Sequence, residues 1–246
     1  MNYENLAIKA TGLTKKYKDV TAVDGVDLEV ARGELFSLLG INGAGKTTII
    51  KMLSCLTQPT SGDALLLGNS ITKSPLAVKK VISTSPQETA VAAGLTAKEN
   101  LELIAGAHGF SKEKREEKIA ALTELLGLSE ILHRRAGKLS GGWQRRLSIA
   151  MALISEPRIL FLDEPTLGLD VIARSELWDI IRRLKGEVTI ILTTHYMEEA
   201  EALSDRIAIM KGGRLLVCDS AENIKALAET DNFEEAFIRI VKGVAK

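Results

Sequence analysis

Gly40-Ile41-Asn42-Gly43-Ala44-Gly45-Lys46-Thr47 decides how the rest of the chain is read. It has the spacing G-x-x-x-x-G-K-[ST], in which a glycine-rich backbone cradles phosphates, the lysine reaches the β- and γ-phosphates and the hydroxyl ligates Mg²⁺. The flanks suit it. Leu35-Phe36-Ser37-Leu38-Leu39 reads as a buried strand, and Ile49, Ile50, Leu53 and Leu56 recur at helical spacing. Glycines at 43 and 45 tolerate positive φ, so successive N–H groups can turn toward one point. Together with the helix N-terminus they form an anion cradle from Asn42, Gly43, Ala44, Gly45, Lys46, Thr47 and Thr48. A plain glycine turn would need neither the lysine nor the hydroxyl.

A second signal is Ile159-Leu160-Phe161-Leu162 running into Asp163-Glu164-Pro165. A buried strand that ends in carboxylates delivers them to the carboxyl edge of a sheet, where α/β proteins bind ligands. Asp163 suits a Mg²⁺ ion, and Glu164 is placed to polarise an attacking water. A third signal is Leu139-Ser140-Gly141-Gly142-Trp143 before a helix with Leu147, Ala150, Met151 and Ile154 on one face. Ser140 reads as the N-cap, and two side-chain-free N–H groups behind it make a second anion site.

Composition narrows the class. The 246 residues suffice for a full core, and Lys+Arg 32 balances Asp+Glu 32, so there is no electrostatic case for a nucleic-acid partner. Cys55 and Cys218 lie far apart without metal spacing and read as reduced core thiols of a cytoplasmic protein. Met1-Asn2-Tyr3-Glu4-Asn5 lacks the basic and apolar regions of a signal peptide. No stretch reaches the ~18 apolar residues of a membrane span.

Along the chain, Val26 to Val30 alternates like a half-buried strand, and Ala64 to Leu67 reads as another. Thr96-Ala97-Lys98-Glu99 fits a capping box, and a helix pattern from about Lys112 to Leu126 stops at Gly127. A helix is expected at about Val171 to Leu184 and strands at Val188 to Leu192, Ile207 to Met210 and Leu215 to Cys218. Lys211-Gly212-Gly213-Arg214 reads as the hairpin turn between the last two.

Lys46, Ser140-Gly141-Gly142, Asp163-Glu164 and His195, in this order, resemble the nucleotide-binding subunit of an ATP-binding cassette (ABC) transporter, and the resemblance runs from about Ala7 to Val217. It implies an α/β fold: a P-loop NTPase core, a mixed sheet flanked by helices, with an N-terminal antiparallel β subdomain and an inserted α-helical subdomain. The expected organisation is one ATPase domain over residues 1–220, with the helical insert at about 88–138, and a short helical tail over 221–246. The resemblance also implies roles for single residues. Tyr17 stacks on adenine, Gln87 contacts Mg²⁺ or the attacking water, Asp170 lies in the loop that crosses a dimer interface, and His195 contacts the γ-phosphate. Two departures stand out: Trp143 where glutamine is commonest, and Ile41 where proline is common.

The implied activity is ATP hydrolysis with ATP and Mg²⁺, in a dimer with a second copy or a homologous ATPase subunit. In such a dimer the cradle of one subunit and the Ser140 segment of the other enclose the γ-phosphate. The implied partners are transmembrane permease subunits, with the chain peripheral at the inner face of the cell membrane. Pro165 to Asp170 and Thr194 to Ala200 resemble the multidrug- or lipid-type exporter branch. The rival is a soluble ABC-type ATPase of an assembly pathway such as Fe–S cluster assembly. A GTPase is disfavoured because no Asn-Lys-x-Asp string occurs.

Overall fold

The computed structural model describes residues 5–243. Residues 1–4, where no signal peptide is expected, and residues 244–246 of the expected tail lie outside them. The elements in chain order are β1 (Leu6–Tyr17), β2 (Val20–Ala31), β3 (Leu35–Leu39), α1 (Lys46–Leu53), β4 (Ser61–Leu66), β5 (Asn69–Ser70), α2 (Pro75–Lys79), β6 (Ile82–Ser85), α3 (Ala97–Ala107) and α4 (Lys112–Leu126). They continue with α5 (Gly141–Leu153), β7 (Ile159–Asp163), α6 (Val171–Leu184), β8 (Thr189–Thr194), α7 (Met197–Leu203), β9 (Arg206–Lys211), β10 (Arg214–Asp219), α8 (Ala221–Leu227) and α9 (Phe233–Lys242).

Two sheets form. The central one has the order β10-β9-β3-β8-β7-β6, and the other is β2-β1-β4-β5. In the central sheet β3 pairs parallel with β8 and β9, and β7 pairs parallel with β8 and β6. Strands β3, β7 and β8 are buried along their whole length, which is why they read as unbroken apolar runs rather than as alternation. The second sheet is antiparallel, β1 pairing with β2 and β4. Strand β4 belongs to this outer sheet, although it follows the helix after β3 directly.

Local signals place the helices. Thr96 caps α3 with a complete capping box to Glu99, and Gly127 closes α4 in a left-handed conformation at φ 64. Helices α3 and α4 share an apolar cluster with α5 and α6, through Leu101, Ile119, Leu147 and Leu177 among others. The helix carrying Ser140-Gly141-Gly142 is therefore packed against the insert. The last two helices are covered by Leu39, Ile207 and Ile209 of the central sheet, which pack with Ile224, Phe233 and Phe237. Burying each of these phenylalanines is worth about 2–3 kcal/mol.

Several expectations need correction. Helix α1 stops at Leu53, and Leu56 is 69% exposed instead of continuing its apolar face. The chain reverses at Cys55, where φ is 57, before a further turn of helix can form. In the tail, where Ile224, Leu227, Phe233 and Phe237 are the expected apolar contacts, Leu227 is 48% exposed, whereas the other three are buried. The strand expected over Val188 to Leu192 begins at Thr189 and runs on to Thr194. Cys55 and Cys218 are free thiols, half-buried rather than core, and burial raises the pKa of both.

The two sheets are tied by Arg206. Its Nε donates to Glu34 Oε1 at 2.7 Å, and its Nη2 donates to Glu29 O at 2.6 Å and Glu34 Oε2 at 3.1 Å. Glu34 is buried, so the bridge compensates a carboxylate removed from water. Arg206→Ala should cost about 2 kcal/mol in urea unfolding, the usual loss for hydrogen bonds to a charged group. A loss of only a few tenths would show that Glu34 is satisfied otherwise.

Candidate active site

Parallel pairing brings four strand ends to one edge. Strand β3 leads into Gly40, β8 into His195, β7 into Glu164, and β6 into Pro86 and Gln87. At this edge lies a cleft of about 740 Å³. Asn42, Gly43, Ala44, Gly45, Lys46, Thr47, Thr48, Gln87, Glu164 and His195 all line it. Val20, Thr21, Ala22, Leu167 and Gly212 complete the wall. No sequence motif marks Val20 to Ala22. They reach the cleft because the end of β1 turns back into β2.

The loop needs glycine at 45 for two reasons. Its φ is 105, and a Cβ there would sit 2.5 Å from Ala22 O. Gly40 is constrained by space alone, since its Cβ would meet Met210 O at 2.6 Å. Helix α1 therefore starts with a bare, inward-facing N-terminus and no side-chain cap.

Three side chains meet over the loop. Lys46 Nζ donates to Gly40 O at 2.7 Å and lies 3.3 Å from Glu164 Oε1. Glu164 Oε2 is 2.7 Å from His195 Nδ1, and since a carboxylate only accepts, the ring nitrogen is the donor. Lys46 and Glu164 are both buried. Glu164 has φ 48, a left-handed conformation uncommon for a residue with a side chain. Its N–H is held by Thr193, donating to Thr193 O at 3.1 Å and Thr193 Oγ1 at 3.0 Å.

The same threonine anchors Asp163. Thr193 Oγ1 donates to Asp163 Oδ1 at 2.5 Å, and Thr47 Oγ1 donates to that oxygen at 3.2 Å. A hydroxyl and a carboxylate this close form a hard-oxygen pair of the kind that suits Mg²⁺. No cluster of three His, Cys, Asp or Glu able to hold a metal occurs among the described residues.

The remaining expected residues are not in this cleft. Tyr17 is 45% exposed, with Lys15 Nζ 5.0 Å from its ring centroid, and pairs with cleft-lining Val20. Ser140 caps α5 by its backbone, but its side chain makes no capping bond. Gly141 and Gly142 follow, and a Cβ on Gly142 would come within 3.2 Å of Ala173 Cβ. Asp170 caps α6 by accepting from Ala173 N at 2.9 Å. Trp143 packs on the insert core and stacks with Arg146, which is ion-paired to Glu176. Gln144 is turned the other way, donating to Ala136 O at 3.0 Å and Leu139 O at 3.3 Å.

The cleft is a candidate phosphate-binding site, and a separate helix N-terminus starts at Ser140 outside it. Residues 23–167 match the family model described as ABC transporter, and the chain belongs to that family. It is an ATP-binding, ATP-hydrolysing cassette. It is 41% identical to the daunorubicin/doxorubicin resistance ATP-binding protein DrrA of Streptomyces peucetius, over 89% of this chain and 67% of that protein. It is also 41% identical to the phospholipid-transporting ATPase ABCA3 of Homo sapiens, over 89% of this chain and 13% of that one. Among solved structures, a dimeric ATP-binding cassette in a post-hydrolysis state with ADP and Pi superposes with TM-score 0.78 at 27% identity, covering 87% of this chain and 98% of that one.

One buried acid behind the cleft was not singled out by sequence. Glu199, in α7, is fully buried and accepts from Trp178 Nε1 at 3.1 Å. Its Oε2 and the Thr166 hydroxyl are unpartnered among the described residues. Burial raises its pKa, polar neighbours including Trp178 oppose that, and the charge of Glu164 adds to it. A raised folded-state pKa contributes stability that is complete below the unfolded value and is lost as pH rises through the folded one. Glutamine does not ionise. The melting temperature of Glu199→Gln relative to wild type should therefore climb as pH rises upward from about 4.5. A difference independent of pH would show that Glu199 keeps its ordinary titration.

Proposed function

We propose that this chain powers export, with drug-like or lipid-like cargo carried by separate transmembrane subunits. The reported relatives are named for drug resistance and for phospholipid transport, which supports this over an assembly ATPase. No helix among the described residues is long and apolar enough to cross a membrane, so the cargo path would belong to a partner. The peripheral position at the inner membrane face is part of the same reading.

The observation that carries the mechanism is the division of anion donors. Lys46, Gln87 and His195 share one cleft with the carboxylate of Glu164, whereas the uncommitted Ser140 hydroxyl and the Gly141 and Gly142 N–H groups lie outside it. A nucleotide could reach both sets only if a second subunit supplied one of them. In this reading ATP closes a dimer and hydrolysis opens it. Tyr17 would face the adenine, and Asp170 would sit at the subunit junction. Mg²⁺ would be held by Thr47, Asp163 and Gln87, and would neutralise charge on the phosphates.

Before phosphate arrives, Lys46 is held by Gly40 O and Glu164. Polyphosphate competes for that ammonium group and releases one oxygen of Glu164. The freed carboxylate can then accept a proton from water, while His195 holds the γ-phosphate. Phosphoryl transfer needs chiefly this kind of positioning and charge balance.

Glu164→Gln should lower turnover by ~10²–10⁴, the usual contribution of a general base, without loss of ATP binding. The variant should accumulate as an ATP-bound dimer in light scattering, and turnover within a few-fold of wild type would remove Glu164 from the role. Lys46→Ala and Ser140→Arg separate the two donor sets. The first should abolish ATP binding by the monomer. The second should preserve it but prevent dimer closure and hydrolysis. Equal loss of binding in both variants would contradict the shared site.

A further inference from the structure

Helix α5 grips the segment that carries Gln87 at three successive residues. Ser148 Oγ and Ser85 Oγ are 2.9 Å apart and both residues are buried. Arg145 lies one helical turn before Ser148. Its Nη1 donates to Pro86 O at 2.6 Å and its Nη2 donates to Gln87 O at 2.5 Å. Only 4% of Arg145 is exposed. Burial depresses its pKa, and the negative charges of Asp163 and Glu199 oppose that.

An arginine enclosed this way is costly unless its donors are used. Here its two terminal nitrogens are spent on consecutive main-chain carbonyls, a geometry that the planar guanidinium fork supplies and a lysine ammonium does not. The carbonyls belong to the turn between β6 and the helical insert, where Gln87 reaches the cleft beside Lys46 and Glu164. The guanidinium belongs to the first turns of α5, whose N-terminus is Ser140-Gly141-Gly142.

We propose that Arg145 is a positioning residue for ATP hydrolysis: it fixes the Gln87 main chain to α5, so that Gln87 and the Ser140 helix move as one body. The inference rests on the reading of Gln87 as a group that contacts Mg²⁺ or the attacking water. Arg145 itself touches no reacting atom. It acts through Gln87, and its loss should appear as misplacement of that side chain.

The test is a double-mutant cycle on the full chain, reading kcat and KM for ATP at saturating Mg²⁺, with thermal unfolding recorded for each variant. Arg145→Met should lower kcat by ~10–100-fold, the scale of a displacement of about 1 Å at a reacting centre, with KM little changed. Arg145→Lys keeps the charge and a single donor nitrogen in place of the fork, and should recover part of the loss. In a Gln87→Ala background, Arg145→Met should cost no more than a further ~2-fold, since two residues that act as a unit are not additive. Fully multiplicative losses would overturn the proposal, because Arg145 would then act independently of Gln87. An undiminished kcat in Gln87→Ala alone would remove the role of Gln87 and this inference with it. If Arg145→Met melts below the assay temperature, the cycle is run with Arg145→Lys and the same two outcomes decide.

Discussion

The site depends on β8 lying between β3 and β7. With all three strands parallel, the residues that follow each one emerge at the same edge. The hydroxyl of Thr193 then joins two of these exits, donating to Asp163 and accepting from the N–H of Glu164. Thr193 is itself fully buried, so both bonds are made away from water. Moving β8 by one register step would break this junction, separate His195 from Glu164 and turn the buried side chains to the wrong face. The central sheet is thus a register device as much as a core.

The carboxylate of Glu164 is the point where this frame meets chemistry. One oxygen faces an ammonium group and the other an imidazole nitrogen, and the backbone beneath is held in a sparsely populated conformation. Such strain persists only where the surroundings over-determine it. Here they do, because the N–H is fixed by a residue of the neighbouring strand.

Much of this was legible in the sequence because the chemistry depends on local spacing. The glycine loop, the two carboxylates at a strand end and the capping box at Thr96 are each written within a few consecutive residues. What was not legible depends on distant chain segments. Leu56 continues a helical pattern, but a reversal at Cys55 carries it to the surface. Leu227 has the right residue type and the wrong face. Ser85 carries no local signal of burial, yet it is buried against Ser148. Strand β4 follows the cradle helix but joins the outer sheet, a choice set by its pairing with β1. Arg145 reads as one of two adjacent basic residues, and only the fold shows that one is enclosed while the other pairs at the surface.

The self-satisfied state of Lys46 has a consequence for selectivity. Its ammonium already has Gly40 O and Glu164 Oε1 as neighbours, so an incoming anion gains only the difference between its own contact and those it displaces. A small singly charged ion, offering one contact, gains little. A chain of linked phosphates displaces the same neighbours once but collects the loop N–H groups, the helix terminus and the Thr47 hydroxyl together. In the proposed reading the loop would therefore act as a threshold detector, responding more to several linked negative groups arriving as one molecule than to a simple anion.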